Sequence, residues 1–337
     1  MSHLPRTRVV RTLAAVAAAG LALSACGGNL GSESADEAVE NFPSGSINLT
    51  IGQDPGGSTD LIGRALAEPV SQDLGVAMPV VNLPGANGAL AAQELETQEP
   101  NGRELMVINL SLAAITPLAV PENQAIDIDD FEIVTGISRD DYVLVSNASG
   151  DLQDVDDLTE SEDTLDYATT GVGTGSQLSA ELLFKLAEIP GRSVPFDGGS
   201  PALTAVLGNQ VDVASIQLGE AMPQIEAGKI TPLVTFSEER NEFMPDVPTA
   251  VESGYDVLVS QARAIAAPKG TPQEILDQLK ESFDKAFETE AYQDFNEKNL
   301  LTPQEDPGAE VKKNWKDALE NYRELTEEYD INLGGDS

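Results

Sequence analysis

From Ile47 onward the chain alternates short β-rich apolar runs with apolar stripes at helical spacing. INLTI (47–51), PVVNL (79–83), ELMVIN (104–109), YVLVSN (142–147), LDYAT (165–169), SVPF (193–196), VDVASI (211–216) and PLVTF (232–236) predict strands. Between them, Leu61, Ile62, Ala65, Leu66 and Val70 fit one helix, and Leu178, Leu182, Leu183 and Leu186 fit another. Thr271-Pro272-Gln273-Glu274 reads as a capping box with Pro at the first helical position, ahead of Ile275, Leu279, Phe283 and Phe287 at four-residue spacing. A last helix starts at Asp306-Pro307 and carries Val311, Trp315, Leu319 and Tyr322 on one face, which makes Trp315 a core residue before a ligand-stacking one. Strands alternating with helices are the pattern of an α/β fold.

The first 46 residues break this pattern. Arg6, Arg8 and Arg11 precede an apolar stretch, Leu13 to Leu23, about half as long as a membrane span needs, so residues 1–25 read as a signal peptide. Leu23-Ser24-Ala25-Cys26 resembles a bacterial lipobox, in which Cys26 would carry lipid and become the mature N-terminus; the alternative is an ordinary secretory signal with an incidental Cys. Residues 26–46, rich in Gly, Ser and acid, then read as a flexible tether from lipid to folded domain.

Composition narrows the chemistry. The chain has 337 residues, 19 Lys+Arg against 57 Asp+Glu, and a net charge of −38. Removing residues 1–25 takes away three Arg and no acid, which moves the charge to −41. Nucleic acid is excluded as a partner, because it demands basic patches. The single Cys, Cys26, and the single His, His3, both fall in the first 26 residues. A chain cleaved there has no histidine and no thiol free of lipid, which excludes Ser-His-Asp and Cys-His catalysis, Cys/His zinc sites and disulfide frameworks. No metal site and no cofactor is expected. Carboxylate chemistry and backbone-mediated binding remain.

One local unit occurs three times: strand, glycine-rich turn, Ser or Thr, helix. It appears as Asp54-Pro55-Gly56-Gly57-Ser58-Thr59-Asp60, as Thr170-Gly171-Val172-Gly173-Thr174-Gly175-Ser176, and as Asp197-Gly198-Gly199-Ser200-Pro201. Glycine permits close backbone approach, and a helix start carries about half a positive charge, so each unit could hold a carboxylate or phosphate. The plainer alternative makes Ser58, Ser176 and Ser200 simple N-caps. Three such turns at the carboxyl ends of strands favour a shared site, since open α/β sheets bind ligands there. The first turn lacks a Walker lysine, and the glycines at 171, 173 and 175 do not follow G-x-G-x-x-G, so nucleotide binding is not indicated.

At these residues the sequence resembles the substrate-binding proteins of tripartite tricarboxylate transporters. PGGSTD (55–60), NLPGANG (82–88), LDYATTGVGTGSQLSAELL (165–183), VPFDGG (194–199), LGNQVDVA (207–214), IEAGKITPLV (225–234), MPDVPTAVESGYD (244–256) and APKGTP (267–272) follow the family's order. The resemblance runs from about Ile47 to Ile331. It implies a two-lobed, periplasmic-binding-protein-like (Venus flytrap) α/β fold with two crossover connections and no catalysis. Residues 47–142 plus 262–331 would form lobe one, and residues 143–261 lobe two. A small tri-, di- or aromatic carboxylate would be clasped between them by a monomeric receptor, lipid-anchored outside the cytoplasm, and presented to membrane permease subunits.

In such a site Gly56, Gly57, Ser58 and Thr59 would bind one end of the ligand, and Thr170, Gly173, Thr174 and Ser176 would grip from the opposite lobe. The third turn adds Asp197 and Gly198; Asp197 either accepts from a ligand hydroxyl or orients a water, or merely complements a helix dipole. Gln217 is an amide donor to the ligand or a surface residue, PGANG (84–88) shapes a turn, and Arg64 serves surface or lobe packing. Arg263 departs from the family, which commonly has an aromatic nearby: one guanidinium on the apolar run Ala262-Arg263-Ala264-Ile265 must be paired, either with a ligand carboxylate or with one of the 57 acids.

Two other functions compete. A sensory lipoprotein signalling to a membrane kinase would have the same lobes. A carboxylate-based hydrolase has no positive signal, since so many acids guarantee chance pairs. A surface at −41 would also repel an anionic ligand unless salt screens it, so a saline or alkaline habitat is expected.

Overall fold

The structure, a computed structural model, describes residues 39–334. The predicted signal peptide, Cys26 and the first part of the tether lie outside the described residues. Val39 and Phe42 already pack against an apolar core, so the folded chain begins before Ile47 and the tether is shorter than expected. Gly102 makes room for the Phe42 ring, which a Cβ there would meet at 2.6 Å.

The first half comprises β1 (Asn48–Ile51), α1 (Ser58–Leu74), β2 (Val80–Asn82), α2 (Ala89–Glu96), β3 (Glu104–Asn109), α3 (Leu110–Ala114) and α4 (Thr116–Ala119). β4 (Phe131–Asn147) then leads to α5 (Val155–Thr159), β5 (Leu165–Thr169), α6 (Gly175–Leu186), β6 (Gly191–Pro195), α7 (Gly199–Leu207), β7 (Val213–Gln217), α8 (Leu218–Glu226) and β8 (Ile230–Thr235). The chain returns through β9 (Ser260–Pro268) to α9 (Gln273–Phe287), α10 (Glu290–Asn299), β10 (Thr302–Pro303) and α11 (Gly308–Glu328). The strands run in the order β2-β1-β3-β9-β4-β7-β5-β6, with β8 and β10 also on β4. This is the two-lobed α/β arrangement with two crossovers.

β4 belongs to both halves. From Phe131 to Asp141 it pairs antiparallel with β9, and from Tyr142 to Ser146 with β7. The sequence predicts only its second part, from Tyr142. Its first part escapes the period-two pattern because Gly136 and the charges Arg139, Asp140 and Asp141 interrupt it, and because the pairing register shifts at Ile133/Thr135 and Gly136/Ser138.

Three apolar clusters fill the layers. One runs through both halves, from Leu112 and Trp315 to Tyr142 and Leu178. A second packs α1 and α9 on the sheet of the first half, and a third packs α7 and α8 on that of the second. In α1 the apolar stripe is buried at Ile62, Leu66 and Val70, while Leu61 faces out. In α9 Ile275, Leu279, Phe283 and Phe287 are all buried, but the capping box does not form. Pro272 itself is the N-cap, Gln273 is the first helical residue, and the Thr271 hydroxyl donates to the Pro268 carbonyl at 2.7 Å instead. α11 starts at Gly308, slightly later than predicted, and buries Val311, Trp315 and Tyr322 as expected. Among the described residues no helix is long and apolar enough to cross a membrane.

Candidate functional site

Each glycine-rich turn leaves the carboxyl end of a strand and enters a helix: β1 to α1, β5 to α6 and β6 to α7. The N-caps are Gly57, Thr174 and Gly198, so Ser58, Ser176 and Ser200 lie inside their helices and none is a cap. The turns then differ in what their N–H groups do.

In the first turn Gly56, at φ +87°, donates its N–H to Asp60 Oδ2 at 2.9 Å. Asp60 also accepts from Arg64 and Asn82. Burial raises the Asp60 pKa, but the bonds from Arg64, Gly56 and Asn82 outweigh it, so the carboxyl sits below its ordinary value. Gly57 N–H makes only a long 3.4 Å contact with the Asp54 carbonyl, and the N–H groups of Ser58 and Thr59 have no acceptor among the described residues. These are the orphan donors every helix start leaves, placed here on a 17-residue helix.

In the second turn side chains claim the N–H groups of Thr170, Gly173, Gly175 and Gln177, while the Ser176 N–H has no acceptor among the described residues. Thr174 caps α6 by accepting from Gln177 N–H at 3.3 Å, and Gln177 Oε1 accepts from Gly173 N–H at 2.8 Å. Gly175 N–H donates to Ser111 Oγ at 3.1 Å, and Thr170 N–H to Ser176 Oγ at 2.9 Å. Ser176 is fully buried and donates to the Ser215 carbonyl. The Gly173 carbonyl accepts from Thr116 and Asn87, which ties this turn to the first half. Asn87, in PGANG, therefore bridges the halves as well as shaping its own turn.

The third turn is open. Gly198, at φ +104°, has nothing within 4 Å of where a Cβ would stand, and its N–H is shared between the Phe196 carbonyl at 3.0 Å and the Thr170 carbonyl at 3.2 Å. Asp197 is exposed. The N–H groups of Gly199 and Ser200 have no acceptor among the described residues. Gln217, half-buried at the start of α8, makes no side-chain hydrogen bond among the described residues.

Arg263 is only 1% exposed. It forks onto Asp140, Nη1 to Oδ1 at 2.8 Å and Nη2 to Oδ2 at 3.3 Å. Two more of its donors go to Thr59 Oγ1 at 3.0 Å and Ser58 Oγ at 3.2 Å. Of the two expected partners, the structure contains the acid: the guanidinium anchors the first turn to β4 and β9 with its fork already filled. Burial pushes the Asp140 carboxyl above its ordinary value, and the Arg263 charge and hydrogen bonds offset only part of that rise. The same burial, then Asp140's charge, raises the pKa of the neighbouring Tyr142 hydroxyl.

Glu220, on the first turn of α8, completes a line from the third turn to the first. A Cβ on Gly199 would lie 1.5 Å from its Oε2, so the carboxyl rests on the backbone of the α7 start. That oxygen is buried without a hydrogen-bond partner. Burial, followed by Asp140's charge, raises its pKa to about 6 against the opposing pull of Arg263. The order is Gly199, Glu220, Asp140, Arg263, then Ser58 and Thr59. Sequence reasoning missed Asp140 because no strand is predicted over 131–141, and Glu220 because an acid in a helix's first turn is ordinary. The charges Arg139-Asp140-Asp141 inside an apolar run were the available signal for the first; nothing marks the second.

A cavity of about 180 Å³ is lined by Arg263 and Arg139 together with Gly136, Ser260, Asp306 and Trp315 among others, and none of the three turns lines it. Among the described residues no group of acidic, Cys or His side chains could hold a metal ion.

Residues 62–331 match the family described as Tripartite tricarboxylate transporter family receptor. A protein encoded in the gbd 5′ region of Cupriavidus necator is 29% identical over 286 residues, covering 83% of this chain and 86% of that one. The structure of a periplasmic transporter superposes with a TM-score of 0.79 at 28% identity, covering 87% of this chain and 99% of that one. MatC from Rhodopseudomonas palustris, solved with bound malate, superposes with a TM-score of 0.77 at 26% identity, covering 84% and 99%. With most of its folded part matched and its two-lobed architecture shared, the chain belongs to the tripartite tricarboxylate transporter receptor family.

Proposed function

We propose that this chain is a substrate-binding lipoprotein, anchored outside the cytoplasm through Cys26, that captures a small carboxylate and delivers it to permease subunits of a tripartite tricarboxylate-type transporter. The observation that carries the reading is a pair of helix starts, those of α1 and α7, one in each half, whose N–H groups lack acceptors. Two such ends facing one cleft would hold an anion by dipole and hydrogen bond without a committed side-chain cation. The malate-bound relative supports a carboxylate as the cargo.

The halves are taken as residues 47–142 with 262–331 and residues 143–261, closing over the ligand. Gly57, Ser58 and Thr59 would grip from one side, and Gly198 with its neighbours from the other. Thr170, Gly173, Thr174 and Ser176 would shape the wall that carries them. Arg263 would act by holding the Ser58 and Thr59 hydroxyls in place. The role is that of a receptor and involves no catalysis.

A thermal-shift screen of the mature protein with citrate, malate, succinate, benzoate, glucose and acetamide tests this. Stabilisation by one or more carboxylates is expected. Stabilisation by the neutral solutes alone would overturn the carboxylate assignment.

A further inference from the structure

Among the described residues, Glu220 Oε2 is the only carboxylate oxygen buried without a hydrogen-bond partner. Such groups are rare because an unpaired buried acceptor is costly, and each one calls for an explanation. No neighbouring donor bonds it: Arg263 turns to Asp140, Ser58 and Thr59, and the N–H groups of Gly199 and Ser200, though beside it, make no hydrogen bond among the described residues. The charged groups facing Glu220 are few. β4 presents Asp140, followed by Asp141, which meets Arg139 at 3.8 Å and accepts from Asn241. β9 presents Arg263. Of the other elements packed on α8, α7, β7 and β8 carry no charged residue, and α10, which meets Gly219 through the Asn299 carbonyl, has its charges Glu290, Asp294, Glu297 and Lys298 exposed. Since Asp140 and Arg263 offset each other, Glu220 leaves this end of the cleft with an excess acid beside the α7 start.

An anion held at that helix start therefore meets a carboxylate. A ligand that brings only carboxylate oxygens sets like charges together in a poorly hydrated place. A ligand that also carries a hydroxyl or ammonium group supplies the donor Glu220 lacks. We propose that Glu220 is a specificity-determining residue that accepts a hydrogen bond from the ligand, so that the receptor prefers hydroxy- or amino-carboxylates over the same acids without that donor. This rests on the receptor reading given above.

The test is isothermal titration of matched pairs, malate and aspartate against succinate, and 2-hydroxyglutarate and glutamate against glutarate. Wild type, Glu220→Gln and Glu220→Ala proteins are compared at pH 7.5. In wild type at least one donor-bearing acid should bind about tenfold or more tighter than its plain counterpart, the scale of a hydrogen bond to a charged group. Both variants should shrink that gap to within about threefold, chiefly by strengthening the plain acid. In wild type the plain acid should also gain affinity as pH falls through about 6, where Glu220 becomes a donor.

Equal affinities within every wild-type pair, or a gap unchanged in both variants, would overturn the proposal while leaving the receptor reading intact. Binding of no carboxylate by any of the three proteins would overturn the receptor reading, and this inference with it.

Discussion

The glycine turns at 170–175 and 197–199 leave adjacent parallel strands, and each enters a helix, yet side chains claim the first helical N–H in one and not in the other. In the first of these, Thr174, Gln177, Ser111 and Ser176 intercept the N–H groups. In the second, glycine is the cap and the next two N–H groups find nothing. The turn at 54–58 follows the second pattern. On the proposed function, what separates a ligand-binding turn from a structural one is whether a nearby side chain claims its donors. Glycine-rich turns can build a docking joint between the halves as readily as a ligand cradle.

Substitutions should separate the two kinds of turn. The largest effect is expected where the first turn is anchored. Asp140→Ala leaves Arg263 buried and charged without its partner, and a guanidinium cannot relieve this by losing its proton, so unfolding in urea should show a loss of about 3–5 kcal/mol. A loss under about 1 kcal/mol would mean that the first turn does not depend on the pair.

Next is the acid beside the third turn. The folded pKa of Glu220, about 6, lies above its ordinary 4.5. Its contribution to stability is thus fully present below about pH 4.5 and lost as pH rises through about 6. Above that range Glu220→Gln should be more stable than wild type by about 2 kcal/mol, and below it the advantage should vanish. Parallel pH–stability curves for the two proteins would contradict the placement of this carboxyl.

The second turn should respond differently. Thr174→Ala removes a helix cap and should cost about 1 kcal/mol of stability in urea, with little change in carboxylate affinity measured by titration. A tenfold loss of affinity at unchanged stability would move this turn into the ligand cradle. The smallest effect concerns the surface: with a net charge of −38, molar NaCl should raise the melting temperature by a few degrees through screening. A lower melting temperature in salt would contradict a surface suited to a saline setting.

Much of the architecture was legible. The limits of β3 and β5 match the predicted runs, because both are uninterrupted β-rich segments. β4 was half lost because its first part carries a glycine that packs on backbone and three consecutive charges. Gly136 is required there, since a Cβ would stand 2.3 Å from the Gln304 carbonyl oxygen, a contact between residues far apart in sequence. Arg263 shows a similar boundary. Its isolation on an apolar run announces a buried partner, but choosing Asp140 among 57 acids takes three-dimensional pairing. The availability of donors at each turn was illegible for the same reason, since Ser111 reaches Gly175 across 64 residues.

The central claim is that the helix starts of α1 and α7 hold the carboxylate through their own N–H groups. Amide NMR of the ¹⁵N-labelled mature protein, titrated with the carboxylate that stabilises it most, tests this directly. The account predicts large, saturable shifts at Ser58, Thr59, Gly199 and Ser200, with small ones at Gly173, Gly175 and Gln177, whose donors are already engaged. Large shifts at those three, with Ser58, Thr59, Gly199 and Ser200 unmoved, would contradict it.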